Sequence, residues 1–155
     1  MPTKTDVPKE AWFYHLEHSS IDRALPELLE KTLARGWRAV VRSNDPDRLA
    51  HLDRSLWTYR DDSFLAHGRD GAPSASRQPI LLTESETPIN NAQVLFILDE
   101  PPRDVDVYER CVVVFEGSDE AALARARRLW STYKAAGSTV AYWKQQDGKG
   151  WARQA

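Results

Sequence analysis

Two histidines three residues apart, His15 and His18 in the run FYHLEHSS, are side chains whose type and spacing could do chemistry. An H-x-x-H pair supplies at most half of a metal's ligand set. No cysteine or glutamate stands nearby at ligand spacing, so a chance arrangement at a strand edge is the favoured reading. The single cysteine, Cys111, heads the run CVVVF. A reactive thiolate needs a cationic, partly open setting, and an apolar strand offers the opposite, so Cys111 reads as core packing. The acidic pairs Asp61–Asp62 and Asp119–Glu120 fall in a loop and at a helix start. Solvated or dipole-complementing charge is the ordinary role there. No constellation of nucleophile, base and orienting group emerges.

The elements that must position such residues alternate along the chain. AWFYHLE (Ala11 to Glu17) and WRAVVR (Trp37 to Arg42) predict strands. Between them, IDRALPELLEKTLARG sets Ile21, Leu25, Leu28, Leu29 and Leu33 near one helical face, with Ser20 as cap and Gly36 as stop. Pro26 falls near the second turn, where it bends or delays the helix. A second helix opens at Pro46 and repeats Leu49, Leu52 and Leu56. Thr58 to Gln78 predicts a long connection rich in Gly, Pro, Ser and Asp. PILLT, AQVLFILD and ERCVVVFEG then predict strands, the last two with continuous apolar runs typical of parallel strands covered on both faces. A helix from Ser118 to Ala136, stopped by Gly137, precedes a closing strand STVAYWK, and QQDGKGWARQA reads as a loose polar tail apart from Trp151. The order predicts one domain over 1–155, with its core about 11–144. Its fold class is α/β, a three-layer α/β/α sandwich with a mostly parallel central sheet.

Composition narrows the function. With 155 residues, 41% hydrophobic and a net charge of -2, the chain has material for one substantial core but lacks the global positive field of a protein that binds DNA mainly through phosphates. Any link to DNA is then indirect or confined to a local patch. One cysteine, no apolar run of signal-peptide length and no stretch long enough to span a bilayer make the cytoplasm the expected location. The segments after the first two strands, LEHSSIDRA and RSNDPDR, lack the closely spaced glycines that let a backbone wrap a pyrophosphate. A small nucleotide- or phosphate-binding enzyme, with its site near Ser20 and Asn44, stays open only as an alternative.

The last helix says more. Ala122, Ala126, Leu129 and Tyr133 form a core stripe, while Arg127 and Lys134 coincide on a face well away from it. Leu123 and Trp130 lie between the two, and Arg125 and Arg128 add charge on the remaining arc. Two readings are open. The face is solvated, with long side chains lying along the surface, or it is a docking strip for an acidic peptide ending in an apolar residue. A third possibility is single-stranded DNA on the arginines and aromatics of this helix.

LDRSLWTYRDDSFLAH, Leu52 to His67, poses a similar choice. Trp57 is turned about 100° from the leucine stripe of its helix, and Phe64 and Leu65 follow a charged gap. They either fold into a satellite cluster or form an aromatic patch for a partner.

Taken together, LDRSLWTYRDDSFLAH, ARGWRAVVRS, QPILLT, RRLWSTYKAAGSTVAYWK and the start FYHLEHSSIDRALPELLEK resemble the chi subunit of the bacterial DNA polymerase III holoenzyme, from about Trp12 to Lys144. The resemblance implies a non-catalytic accessory protein of the clamp loader, with no cofactor. It would bridge that assembly, through its psi subunit, to the acidic C-terminal tail of single-stranded DNA-binding protein. It further implies that Trp57 and Phe64, with Leu65 and His67 as neighbours, meet psi, another clamp-loader protein or an accessory helicase. The tail would meet the last helix and adjoining strand, at Arg127 and Lys134. Contact with DNA would then be indirect.

Overall fold

A computed structural model describes residues 7–58, 65–69, 73–84, 90–101, 105–147 and 150–155. Asp61, Asp62 and Phe64 lie outside the described residues. In chain order the elements are β1 (Glu10–Leu16), α1 (Ile21–Ala34), β2 (Ala39–Arg42), α2 (Pro46–Trp57), β3 (His67–Arg69), β4 (Ile80–Thr83), β5 (Val94–Ile97), β6 (Arg110–Glu116), α3 (Glu120–Ala135), β7 (Thr139–Gln145) and β8 (Trp151–Arg153). The strands form one sheet in the order β3-β4-β2-β5-β6-β1-β7-β8. Every pairing is parallel except β7 with β8.

The apolar strands sort by parity. Val94, Phe96, Val112 and Val114 join the core beneath α1 and α2, whereas Leu95, Ile97, Cys111, Val113 and Phe115 join the core beneath α3. A side-chain period of two, with both faces dry, requires an unbroken apolar run, which is what β5 and β6 carry. The three-layer sandwich follows.

Two of the three helix starts are capped by a side chain, whereas Ser20, expected as the cap of α1, holds the N-cap position without a side-chain cap bond. Asp45 accepts from the Asp47 amide at 3.0 Å and Asp119 from the Ala122 amide at 3.1 Å, so each caps its own helix. Gly36 and Gly137 take φ of 86° and 99°, and the residues after them, Trp37 and Ser138, bond back to Thr32 and Tyr133. Both are left-handed turns that favour glycine. α1 continues through Pro26, which is buried against the core.

Two strands depart from expectation. β3 lies within the predicted long connection, and β8 lies in the tail predicted to be loose. HGR and WAR are too short to show periodicity, and each is held by a neighbour already in place, β4 or β7. Trp151 also packs edge-on against Tyr14, with ring centroids 4.9 Å apart.

Candidate partner-binding surfaces

The ends of the helices that face the carboxyl edge of the sheet are occupied by the chain's own groups. Gln145 projects its amide oxygen to the backbone N–H groups of Glu17, His18 and Ser19 at 3.0, 2.7 and 3.2 Å, filling the turn that leads into α1. The neighbouring cavity, about 110 Å³, is lined by Asp45, Asp99, Glu116 and Asp119 with Arg48 and Arg125. A carboxylate-rich mouth repels phosphate, and both caps are spent on their own helices. His15 turns inward, with Nδ1 2.7 Å from the Tyr142 hydroxyl, while His18 is exposed. Burial pushes the His15 pKa down, against the pull of Glu17 and with the help of Lys144 and Arg127. A Cβ on Gly117 would overlap the His15 imidazole, so any larger residue there must displace that ring. Cys111 is fully buried and its thiol is pushed up by that burial, which suits packing and not nucleophilic attack.

On α3 the stripe Ala122, Ala126, Leu129 and Tyr133 is buried as expected. Arg127, Trp130, Ser131, Tyr142 and Ala155 line an open cavity of about 500 Å³. Trp130 meets Tyr142 edge-to-face at 5.8 Å, and Phe13 backs both rings at 5.5 and 6.4 Å. The Lys134 ammonium lies 5.7 Å from the Trp130 ring centroid. One guanidinium and two rings thus line a concave, partly apolar space, and Lys134, predicted for the same strip, lies against the Trp130 ring without lining it. Tyr142 has its pKa raised by burial, an effect that Arg127 opposes.

The other residues predicted for this strip are placed differently. Arg125 and Arg128 reach Glu100 at 3.2 and 3.3 Å, so that carboxylate draws their charge toward the loop after β5. Neither lines the cavity. Leu123 is half-buried and packs against the α3-side core. Tyr142 and Ser131 were not singled out by periodicity. The signal for Tyr142 was its alternation with Ala141 and Trp143 in a strand directly following α3.

The aromatic patch lies at the opposite edge of the sheet. Trp57 ends α2 and is 57% exposed, which no buried anchor tolerates and an interface anchor does. Its ring lies 4.8 Å from that of His67. Leu65 and His67, which the resemblance set beside Trp57 at the partner surface, are buried. His67 is paired into the sheet by β3, and its two nitrogens lie 2.7 Å from the Leu65 carbonyl and 2.8 Å from the Asp53 carboxylate. Leu65 joins the core beneath α2. His67 thus lies against the exposed indole, whereas Leu65 packs into the core.

Fold and surfaces together define an α/β sandwich domain with an exposed indole at one sheet edge and a guanidinium-lined aromatic cavity near the other. Comparison with known proteins gives the family. The model of the family described as "DNA polymerase III chi subunit, HolC" matches residues 9–141, and the chain belongs to that family. It is also 32% identical over 92 residues to a "Probable DNA polymerase III subunit chi" of Rickettsia prowazekii (strain Madrid E). That match covers 59% of this chain and 54% of the relative, so it spans about half the length of each. Family membership ties the chain to DNA replication. Among the described residues, no helix is long and apolar enough to cross a membrane.

Proposed function

We propose that the chain is a non-catalytic accessory subunit of the polymerase III clamp loader that couples it to single-stranded DNA-binding protein by contact alone. The cavity beside Arg127 receives the acidic C-terminal tail of that protein: the guanidinium takes a carboxylate, Lys134 adds attraction, and Trp130 with Tyr142 receives the terminal apolar side chain. The observation that supports this most is the convergence of Arg127, Trp130 and Tyr142 on one open cavity. Weak single contacts suffice, because several tethered tails raise the local concentration.

Calorimetric titration with a short acidic peptide ending in phenylalanine tests the site. Arg127→Ala weakens binding by at least about tenfold, the loss expected for a charge-assisted contact, with an unchanged melting temperature. Binding by the wild type also weakens as salt rises. Wild-type affinity in the Arg127→Ala protein rules the site out.

Trp57 anchors the second partner, psi or another clamp-loader protein, or an accessory helicase. Trp57→Ala lowers that association by about 2 kcal/mol or more, as loss of an interface tryptophan does. It leaves tail-peptide binding intact in the same calorimeter. Loss of both activities together indicates unfolding and removes the assignment.

A further inference from the structure

The face of the sheet opposite α3 is covered unevenly. α1 packs there against β6 and β2, and α2 against β3 and β4, whereas the helix packed against β7 is α3, on the other side. Toward the β8 edge the open face carries Trp12 and Tyr14 from β1, Trp143 from β7 and Trp151 from β8, each only partly buried. Trp37, in the turn after α1, extends the row.

Cations interleave these rings. The Arg35 guanidinium lies 4.0 Å from the Trp37 ring, Arg110 lies 3.7 Å from Trp12 and 5.2 Å from Trp37, and Arg153 lies 6.0 Å from Trp143. Tyr14 and Trp143 are nearly parallel, 11° apart with centroids at 6.4 Å. Lys31 joins Arg35 and Arg110 around a cavity of about 220 Å³ whose floor is Trp12, Tyr14 and Trp37. Glu10 pairs with Arg110 at 2.9 Å and offsets one of the four positive charges.

We infer that this Trp37–Trp12–Trp143–Trp151 face binds single-stranded nucleic acid, independently of the Arg127 cavity. Acidic peptides call for a cationic rim around one apolar pocket. A row of rings alternating with cations matches instead a ligand that repeats a flat base and an anionic phosphate. From β6 to β8 the row crosses three strand spacings, about 14 Å, the scale on which sheet aromatics stack two or three bases. Arg35 and Arg153 are exposed and rest on indole faces. Swinging outward to phosphates, they uncover those faces for bases. The net charge of -2 on the whole chain does not oppose this, because the patch itself is positive.

The test is titration of a fluorescent oligothymidylate of about 20 nucleotides with the purified chain alone at roughly 50 mM salt, read by anisotropy and tryptophan quenching. Saturable binding with quenching is expected, weakening by about an order of magnitude at roughly 200 mM salt, as for some three neutralised phosphates. The double variant Arg35→Glu, Arg153→Glu changes only exposed side chains. It loses at least about tenfold in affinity at an unchanged melting temperature, while Arg127→Ala binds as wild type. The proposal fails if the wild type shows no saturable binding, if the double variant binds as wild type, or if Arg127→Ala abolishes binding. It fails equally if the double variant loses the acidic peptide and not the oligonucleotide, which would make this face part of a peptide site.

Discussion

Alanine at Phe13 lowers the free energy of unfolding by about 3–5 kcal/mol, the range for removing a fully buried phenyl ring from a packed core. Phe13 has no exposed surface and sits in the α3-side core. The loss has a functional component. Phe13 stands behind Trp130 and Tyr142, 5.5 and 6.4 Å from their centroids, so the void opens beneath the rings that shape the Arg127 cavity. Urea unfolding gives the stability change from the shift in midpoint at constant slope. Calorimetry on protein that remains folded gives a weakened tail-peptide affinity, although Phe13 touches no solvent. Phe13→Leu retains most of the volume and costs less than Phe13→Ala, which separates the void from the lost ring contacts. A cost under about 1 kcal/mol for Phe13→Ala would contradict the packing described for this core.

The second large effect is at the opposite edge. His67→Ala costs about 2–3 kcal/mol, from a small cavity and from the Leu65 carbonyl left without its partner. The side chain of His67 has no exposed surface, while Asp53 is one-third exposed and regains hydration, which limits the penalty. The same change removes the ring beneath Trp57. Partner association therefore falls together with stability in His67→Ala, but without a comparable stability change in Trp57→Ala. Thermal unfolding of the two variants side by side, with association measured below both transitions, distinguishes support from contact. Equal stability losses in the two would mean that Trp57 is itself a structural residue.

The three-layer sandwich was legible in the chain because its evidence is local and repeated. Continuous apolar runs, period-3.6 apolar patterns, Asp119 as a cap, and Gly36 and Gly137 as stops each act within a few residues. The cationic face of α3 was legible for the same reason: Arg127 and Lys134 are seven residues apart, two turns of helix. Identification of the family came from residue-level resemblance, and membership follows from the match over residues 9–141.

What lay beyond reach of the sequence were relations between residues far apart in the chain. Tyr142 meets Trp130 only because β7 docks beside α3, and Glu100 claims Arg125 and Arg128 only because the chain leaving β5 passes the same helix. The resemblance set Leu65 and His67 beside Trp57 at a partner surface, yet β3 pairing and the Asp53 contact draw His67 inside and core packing draws in Leu65. β8 has almost no apolar signature, because an edge strand three residues long is stabilised by the hydrogen bonds that β7 offers it. Local pattern thus determined which residues form elements and which face of each is wet. Only tertiary packing decided which wet faces become joined, since charge pairing, ring contact and strand addition depend on distance in space, which sequence separation does not record.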